Sequence, residues 1–159
     1  MKKQKTNTAR LLDKAGVTYS LVSYCVDEND LSAGHLMKQL GEEGNTVFKT
    51  LVLRGDKNGC FVCVIPGMAE LDLKKAAKAS GNKKCELLPI KDLFRLTGYV
   101  RGGCSPLCMK KKFPTFMDES AIGMEILHVS AGIRGLQLRL APDDLLYQMN
   151  GSYAELCQQ

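Results

Sequence analysis

Two apolar runs separated by a turn constrain the fold of this chain more than any other feature. Residues 47–54 and 60–65 form the runs, and the sequence GDKNG lies between them. Glycine, aspartate and asparagine at this spacing are typical of a β-hairpin turn. Both runs are apolar enough to lie in the middle of a sheet. The sequence therefore predicts a central pair of antiparallel strands.

Lys49 interrupts the apolar face of the first of these strands. Residues two apart on a strand share a face, so Lys49 lies on the same face as Val47, Leu51 and Leu53. An ammonium in such a position costs free energy unless it reaches water or a partner. The residues alone leave two interpretations open. Lys49 either extends past its neighbours to water, or it lies in a cleft at the end of the sheet and binds a phosphate, a carboxylate or a developing oxyanion.

Helices and further strands follow one another along the rest of the chain. Asp30 and Ser32 are alternative N-caps for the second helix, which ends before Gly41. The other helices are predicted at 6–15, 70–80, 89–96 and 142–147. The other strands are predicted at 17–26, 85–87, 113–118, 124–129 and 135–141. At 159 residues the chain fits one α+β domain, 1–159, with a mixed, mostly antiparallel β-sheet.

The cysteines and the N-terminus bear on location and on metal binding. The start of the chain is basic but no apolar signal core follows it, and no stretch approaches the ~20 apolar residues of a membrane span. We therefore expect a cytoplasmic protein that does not enter the membrane and whose seven cysteines are reduced. Cys60 and Cys63 lie three apart on a strand and point to opposite faces. Cys104 and Cys108 have no second pair, so neither a metal site nor a cofactor is expected.

Two glycine-rich loops are candidates for a binding site. Residues 98–106 read GYVRGGCSP and residues 130–136 read SAGIRGL. Glycines let backbone N–H groups approach an anion closely, although both loops are equally well explained as tight turns. His35 and His128 lack the sequence context of a catalytic triad. A hydrolase built from this chain would not use a nucleophile–histidine pair.

Positive charge is concentrated in two stretches of the chain. The net charge is +5, and lysines cluster at 74–84 and at 110–112. Such clusters are ordinary solvated faces in many proteins, and they are also compatible with a polyanionic partner.

Four segments in order resemble the YbaK/EbsC family: VFKTLVL, LDLKKAAKASGNKK, TGYVRGGCSPLCMKKKFPTFMD and VSAGIRGLQLRLAPDDL. The resemblance runs from about residue 8 to 146. The family contains bacterial Cys-tRNA(Pro) deacylases and is related to the editing domain inserted in prolyl-tRNA synthetase. It implies a curled sheet with helices packed around it, and trans-editing hydrolysis of Cys-tRNA(Pro) to cysteine and tRNA, with Cys-tRNA(Cys) as a further candidate substrate. It also implies that the thiol of the substrate attacks its own carbonyl, without a metal or cofactor.

The resemblance also implies roles for individual residues. Lys49 corresponds to the key lysine of the family. The positions that correspond to the substrate pocket are Tyr24, Thr50, Arg101, Gly102, Gly103, Ser130 and Gly132. The lysines expected to contact tRNA phosphates are Lys74, Lys75, Lys78, Lys110, Lys111 and Lys112. The implied partners are an aminoacylated tRNA and, transiently, prolyl-tRNA synthetase.

Two departures from the family pattern keep alternatives open. Gln137 stands where a relative carries an acidic residue, and Ala131 replaces a glycine. One alternative is a deacylase for Ala-tRNA(Pro) or another small mischarged residue. The other, raised by Gln137, is a non-catalytic module that binds tRNA or a synthetase.

Overall fold

The computed structural model describes residues 5–159, apart from the side chain of Glu42, so residues 1–4 of the basic N-terminal stretch lie outside it. The α-helices are α1 Asn7–Ala15, α2 Ala33–Leu40, α3 Leu73–Ser80, α4 Ile90–Thr97 and α5 Pro142–Gln148. The strands are β1 Tyr19–Ser23, β2 Phe48–Gly55, β3 Cys60–Pro66, β4 Cys85–Leu87, β5 Thr115–Asp118, β6 Leu127–Ser130, β7 Leu136–Leu140 and β8 Ser152–Ala154. Short 3₁₀ helices span Gly41–Thr46 and Glu119–Ala121. Within residues 5–159, none of the helices has the length and apolar character needed to span a bilayer.

The strands form two sheets, and the predicted α+β class is confirmed. A three-stranded sheet has the order β1-β7-β6, and a five-stranded sheet has the order β4-β2-β3-β5-β8. The β3–β5 and β5–β8 pairs are parallel and the other pairs within the sheets are antiparallel. The predicted central hairpin is confirmed, with Lys49 opposite Ile65 and Arg54 opposite Cys60. β8 is the strand that the sequence did not predict.

Capping residues fix where the helices begin and end. Ser32, one of the two predicted alternatives, is the N-cap of α2, and its Oγ accepts a hydrogen bond from the N–H of His35. Asp72 caps α3 by accepting hydrogen bonds from the N–H groups of Lys74 and Lys75. These side chains satisfy backbone donors that have no partner inside the helix.

The central hairpin is covered on both faces. Its even-numbered residues, such as Phe48 and Val62, point into the main core, which lies between the hairpin and the three-stranded sheet. Its odd-numbered residues, such as Leu53 and Cys63, point into a second core that includes α3. Leu156 completes the second core near the C-terminus, and Leu71 forms a β-bridge with Cys157. Cys60 packs against the main core, so the predicted opposite orientation of Cys60 and Cys63 is confirmed.

The two sheets meet at one backbone contact. Val47 at the start of β2 forms a parallel bridge with His128 in β6. Beyond this bridge β2 and β6 are not paired with each other. Because the two strands separate there, side chains from both sheets face a common space.

Candidate active site

A pocket of about 500 Å³ lies where β2 and β6 separate. One wall is formed by the beginning of β2, the end of β6 and part of β7. The segment before α2, together with α2 itself, forms a second wall, and the loop after α4 forms a third. Of the residues that the sequence predicted for the site, this pocket brings together Tyr24, Lys49, Thr50, Arg101, Gly102 and Ser130.

The other two predicted glycines lie behind the lining residues. A Cβ at Gly103 would be 3.1 Å from the backbone nitrogen of Arg134, and one at Gly132 would be 3.1 Å from the ring of Tyr99. Arg134 also donates a hydrogen bond from Nε to the carbonyl oxygen of Arg101 at 2.8 Å. The two glycine-rich loops therefore pack against each other and hold Arg101 and Gly102 at the pocket wall. Contact of Gly103 and Gly132 with a substrate stays a prediction.

Lys49 contributes a positive charge to the pocket. Lys49 is partly buried and is one of the residues that line the pocket, on the strand face opposite to Thr50. Within the described part of the chain, its ammonium has no carboxylate within ion-pair distance and no hydrogen-bond acceptor. A partly buried cation without a protein counter-charge favours binding of an anion or of a group that becomes negative during a reaction.

Two buried polar atoms in the pocket lack partners. The hydroxyl oxygen of Thr50 and Oε1 of Gln137 have no hydrogen-bond partner among the described residues. Gln137 is only 4% exposed, and both residues line the pocket. A buried polar atom left unpaired costs roughly 1–3 kcal/mol. This cost would be recovered by a ligand that hydrogen-bonds with both atoms.

Ser130 and Ala131 show how the loop after β6 tolerates its departure from the family pattern. Ser130 Oγ accepts a hydrogen bond from the N–H of Gly132 at 3.1 Å, which leaves its own proton free to be donated. Ala131 is fully buried in the main core, and its carbonyl oxygen accepts hydrogen bonds from the hydroxyls of Thr6 and Thr8. Ala131 is not among the residues with positive φ. A glycine is therefore not required at this position.

The wall formed by α2 is attached to its neighbours through side chains and close packing. The amide of Gln39 pairs with the backbone of Cys25, accepting from its N–H and donating to its carbonyl oxygen, both at 2.8 Å. On the other side, a Cβ at Gly67 would lie 2.8 Å from the Cβ of Ala33. Only glycine allows α2 to approach the end of β3 so closely.

The pocket offers no activated nucleophile of its own. Among the described residues that line it, no serine or cysteine hydrogen-bonds with a histidine side chain. Cys104 lines the pocket, but burial raises the pKa of its thiol to about 12, so the thiolate is scarce at neutral pH. No group of three or more histidine, cysteine, aspartate or glutamate side chains is placed to hold a metal ion anywhere in residues 5–159.

A polar network that includes the buried His128 lies close to the pocket, at the three-stranded sheet. His128 is 1% exposed, and its Nδ1 lies 2.8 Å from Thr46 Oγ1. Because Thr46 donates its hydroxyl proton to the carbonyl oxygen of Glu43 at 2.6 Å, His128 Nδ1 donates to Thr46. The Glu43 carboxylate is held by Arg139 Nε at 2.6 Å. Burial, with a smaller effect from Arg139, lowers the pKa of His128 despite the opposing charge of Glu43, so His128 is a packed, neutral residue.

The predicted phosphate-binding lysines occupy two separate surfaces. Lys74 and Lys78 are exposed on α3, next to the second core, whereas Lys75 forms an ion pair with Glu155 at 2.7 Å. The lysines at 110–112 are exposed in a stretch that packs against the main core through Met109. Because the two cores lie on opposite faces of the five-stranded sheet, the two lysine clusters do not form one continuous patch.

The sequence did not identify Gln137 as a pocket residue. It was noted there only as a departure from the family pattern. Met68, His35 and Cys104 also line the pocket without having been predicted. Their positions depend on how the loops fold over the sheets, for which the sequence contains no periodic signal.

Comparison with known proteins identifies the family. The sequence profile of the aminoacyl-tRNA editing domain matches residues 28–147. A relative in Enterococcus faecalis is 51% identical over 153 residues, which cover 96% of this chain and 93% of that protein. This relative is EbsC, to which a Cys-tRNA(Pro)/Cys-tRNA(Cys) deacylase activity is provisionally assigned.

Solved structures share the fold. A provisionally assigned trans-editing enzyme for prolyl-tRNA synthetase matches with a TM-score of 0.79 and 23% identity, over 98% of this chain and 100% of that one. The hypothetical protein APE2540 matches with a TM-score of 0.84 and 19% identity, over 94% and 97% of the two chains. These identities are too low to carry more than the fold. The profile and the close relative confirm the resemblance seen in the sequence: the chain belongs to the aminoacyl-tRNA editing domain family.

Proposed function

We propose that this protein hydrolyses the ester of Cys-tRNA(Pro), releasing cysteine and intact tRNA. Its relative EbsC, with the same provisionally assigned activity on Cys-tRNA(Pro) and Cys-tRNA(Cys), supports this substrate class. The observation that carries the proposal is the content of the pocket. It holds an unpaired lysine and two unpartnered buried polar atoms, but no nucleophile–histidine pair among the described residues.

The nucleophile in this proposal is the thiol of the bound cysteine. Its sulfur forms a bond to its own carbonyl carbon, the bond from that carbon to the ribose oxygen breaks, and the thiol proton passes to the ribose oxygen. Water then opens the resulting thiolactone to give free cysteine. An intramolecular nucleophile acts at a high effective concentration, so the protein needs to supply only position and charge.

Each part of the pocket has a role in this reaction. Lys49 holds the 3′-terminal phosphate or ribose oxygens and stabilises negative charge that develops as the ester breaks. Gln137 Oε1 accepts a hydrogen bond from the α-ammonium of the cysteinyl group, which brings a donor to its unpaired oxygen. Thr50 and Ser130 supply hydroxyl groups at the same wall, and the backbone around Gly102 faces the carbonyl oxygen.

Selection of tRNA(Pro) requires more than this pocket. A domain of this size with two separate basic surfaces reads phosphate positions and not tRNA identity. We infer that a transient complex with prolyl-tRNA synthetase supplies the selectivity, and that the protein acts in the cytoplasm, where aminoacyl-tRNA is made and used.

The test compares Cys-tRNA(Pro) with Ala-tRNA(Pro) as substrates for the purified protein and for Lys49→Ala. We expect rapid loss of the cysteinyl ester and little loss of the alanyl ester, because alanine has no thiol. Lys49→Ala should lower the rate on Cys-tRNA(Pro) by roughly 100-fold, the usual effect of removing one group that stabilises developing charge. Release of the amino acid from tRNA is measured under single-turnover conditions.

The matched control is Lys14→Ala, which removes an exposed lysine from α1, away from the pocket. It should leave the rate unchanged. Equal hydrolysis of the cysteinyl and alanyl esters would refute the role of the substrate thiol. Full activity of Lys49→Ala would refute the role assigned to that residue.

A further inference from the structure

The outward face of α4 carries large apolar side chains without a partner. Ile90 is 63% exposed and Phe94, one turn later, is 58% exposed. Leu87, at the end of the neighbouring strand β4, is also exposed. Residues four apart on a helix lie side by side, so Ile90 and Phe94 form one continuous apolar area. An aromatic ring exposed to this extent contributes little to the core and is available to a ligand.

A lysine ammonium lies over one face of this aromatic ring. Lys110 Nζ lies 4.9 Å from the centroid of the Phe94 ring, and the backbone N–H of Lys110 donates to the carbonyl oxygen of Thr97 at 3.0 Å. This hydrogen bond fixes the beginning of the 110–112 lysine run beside the end of α4. Within the described residues, none of these three lysines forms an ion pair with a carboxylate. The acidic residue of α4, Asp92, is already paired with Arg54 and Arg95.

The same surface adjoins the pocket. The loop that begins after Thr97 reaches the pocket wall at Arg101, and four residues of extended chain span at most about 14 Å. A short run of nucleotides attached to a substrate in the pocket can therefore reach Lys110 and α4. Lys75 of α3 is less suited to this role, because its ammonium is paired with Glu155 and donates to the carbonyl oxygen of Cys157.

We propose that this surface binds the single-stranded nucleotides that precede the aminoacylated 3′ end of the tRNA. It is called the α4 surface below and consists of Leu87, Ile90, Phe94 and Lys110 to Lys112. A base stacks on the Phe94 ring, and the lysines contact the neighbouring phosphates. Exposed aromatic rings beside unpaired cations are the usual means by which proteins bind single-stranded nucleic acid without reading its sequence. Unpaired positive charge favours this polyanion over a protein surface as the occupant. The inference rests on the proposed function, since it is the aminoacyl ester in the pocket that brings these nucleotides to α4.

The experiment compares Phe94→Ala with the unmodified protein on two substrates, Cys-tRNA(Pro) and the cysteinyl ester of adenosine. The small ester enters the pocket but has no upstream nucleotides. We expect the KM for Cys-tRNA(Pro), divided by the KM for the small ester, to rise at least about 5-fold, because one base–aromatic stack is lost. Phe94→Trp should restore the ratio. Tyr147→Ala is the matched control, since Tyr147 is an aromatic residue of α5 that is 82% exposed.

A second readout measures the phosphate contacts. The measurement is the slope of the logarithm of the affinity for tRNA without an amino acid, plotted against the logarithm of the salt concentration. Replacing Lys110, Lys111 and Lys112 together by glutamine should make this slope less steep by about 2, as expected for the loss of three phosphate contacts to a single strand. The control, Lys14→Gln with Lys57→Gln, removes exposed lysines elsewhere and should leave the slope unchanged.

The outcomes separate this inference from the proposed function. An unchanged KM ratio in Phe94→Ala overturns the inference, and so does an effect of Phe94→Ala that appears only when a protein partner is added. Equal losses of deacylation activity on Cys-tRNA(Pro) and on the small ester overturn the inference as well, because they indicate a change in the fold. If the unmodified protein cleaves neither ester, the proposed function is refuted. The salt dependence of tRNA binding then shows by itself whether the α4 surface binds tRNA.

Discussion

Replacing Gln137 by leucine should stabilise the protein and impair its activity at the same time. Leucine has a similar shape but no polar atom, so the substitution removes the unpaired Oε1 of a residue that is 4% exposed. Leaving such an atom unpaired costs about 1–3 kcal/mol. At the lower limit, about 1 kcal/mol, the melting temperature of a chain of this length should rise by about 2–4 °C.

The loss of activity follows from the same atom. In the proposed complex Oε1 accepts a hydrogen bond from the α-ammonium of the substrate, and hydrogen bonds to charged groups contribute about 1.5–3 kcal/mol. Each 1.36 kcal/mol corresponds to a factor of ten in rate. We therefore expect Gln137→Leu to lower kcat/KM for Cys-tRNA(Pro) by about 10- to 150-fold.

Two measurements check this prediction: thermal unfolding followed by circular dichroism, and steady-state deacylation of Cys-tRNA(Pro). Gln137→Glu serves as the matched variant, because its carboxylate keeps an acceptor at the same position and should retain more activity than leucine. A Gln137→Leu protein that unfolds at a lower temperature and keeps its kcat/KM would refute the reasoning. In that case Oε1 would be a structural acceptor and not a part of the binding site.

Two further predictions concern stability and the pocket wall. Burial lowers the pKa of folded His128 below its ordinary value of 6.5, so the stability it contributes is present above pH 6.5 and is lost as the pH falls through the folded pKa. Urea unfolding between pH 7 and 5 should show this decline, and His128→Asn should show a smaller one. Gly102 has φ +87°, where a side chain is strained by about 1–2 kcal/mol, and an added Cβ would lie 3.3 Å from Arg134 Nε. Gly102→Ala should therefore lower the free energy of unfolding by about that amount and slow deacylation, whereas Gly123→Ala, with a similar φ but open space around it, should only lower stability.

Local features of the sequence predicted the elements because each element has its own signal. The alternation in 47–53 placed Lys49 on the same face of β2 as Leu51 and Leu53, and the structure confirms the predicted hairpin with β3. Ser32 was one of the two N-caps predicted for α2, and it is the N-cap in the structure. The helix predicted from residue 70 begins at Leu73, because Asp72 caps it. By contrast, β8 has three residues and pairs only with β5, far away along the chain, so its formation depends on tertiary contacts.

The candidate site was predictable only in part, because some of its residues have no local signal in the sequence. Lys49 was conspicuous because a charge stood on an apolar face. Gln137 was inconspicuous because a polar residue on the wet face of an alternating strand is ordinary, and only the fold shows that α2 and the loops bury it. The two lysine clusters are similar in composition, yet they lie with different cores of the structure. The spacing of lysines along the sequence does not show on which face of the sheet each cluster lies.

The contribution of residues 154–157 to the second core has a consequence for the order in which the two parts of the domain fold. Leu156 is fully buried there, and β8 supplies an edge strand of the five-stranded sheet. These residues follow all the other elements of the second core in chain order, so that core stays incomplete until the chain through Leu156 has left the ribosome. The three-stranded sheet has all its strands by Leu140 and has the opportunity to form earlier. During synthesis the three-stranded sheet should therefore form before the second core closes.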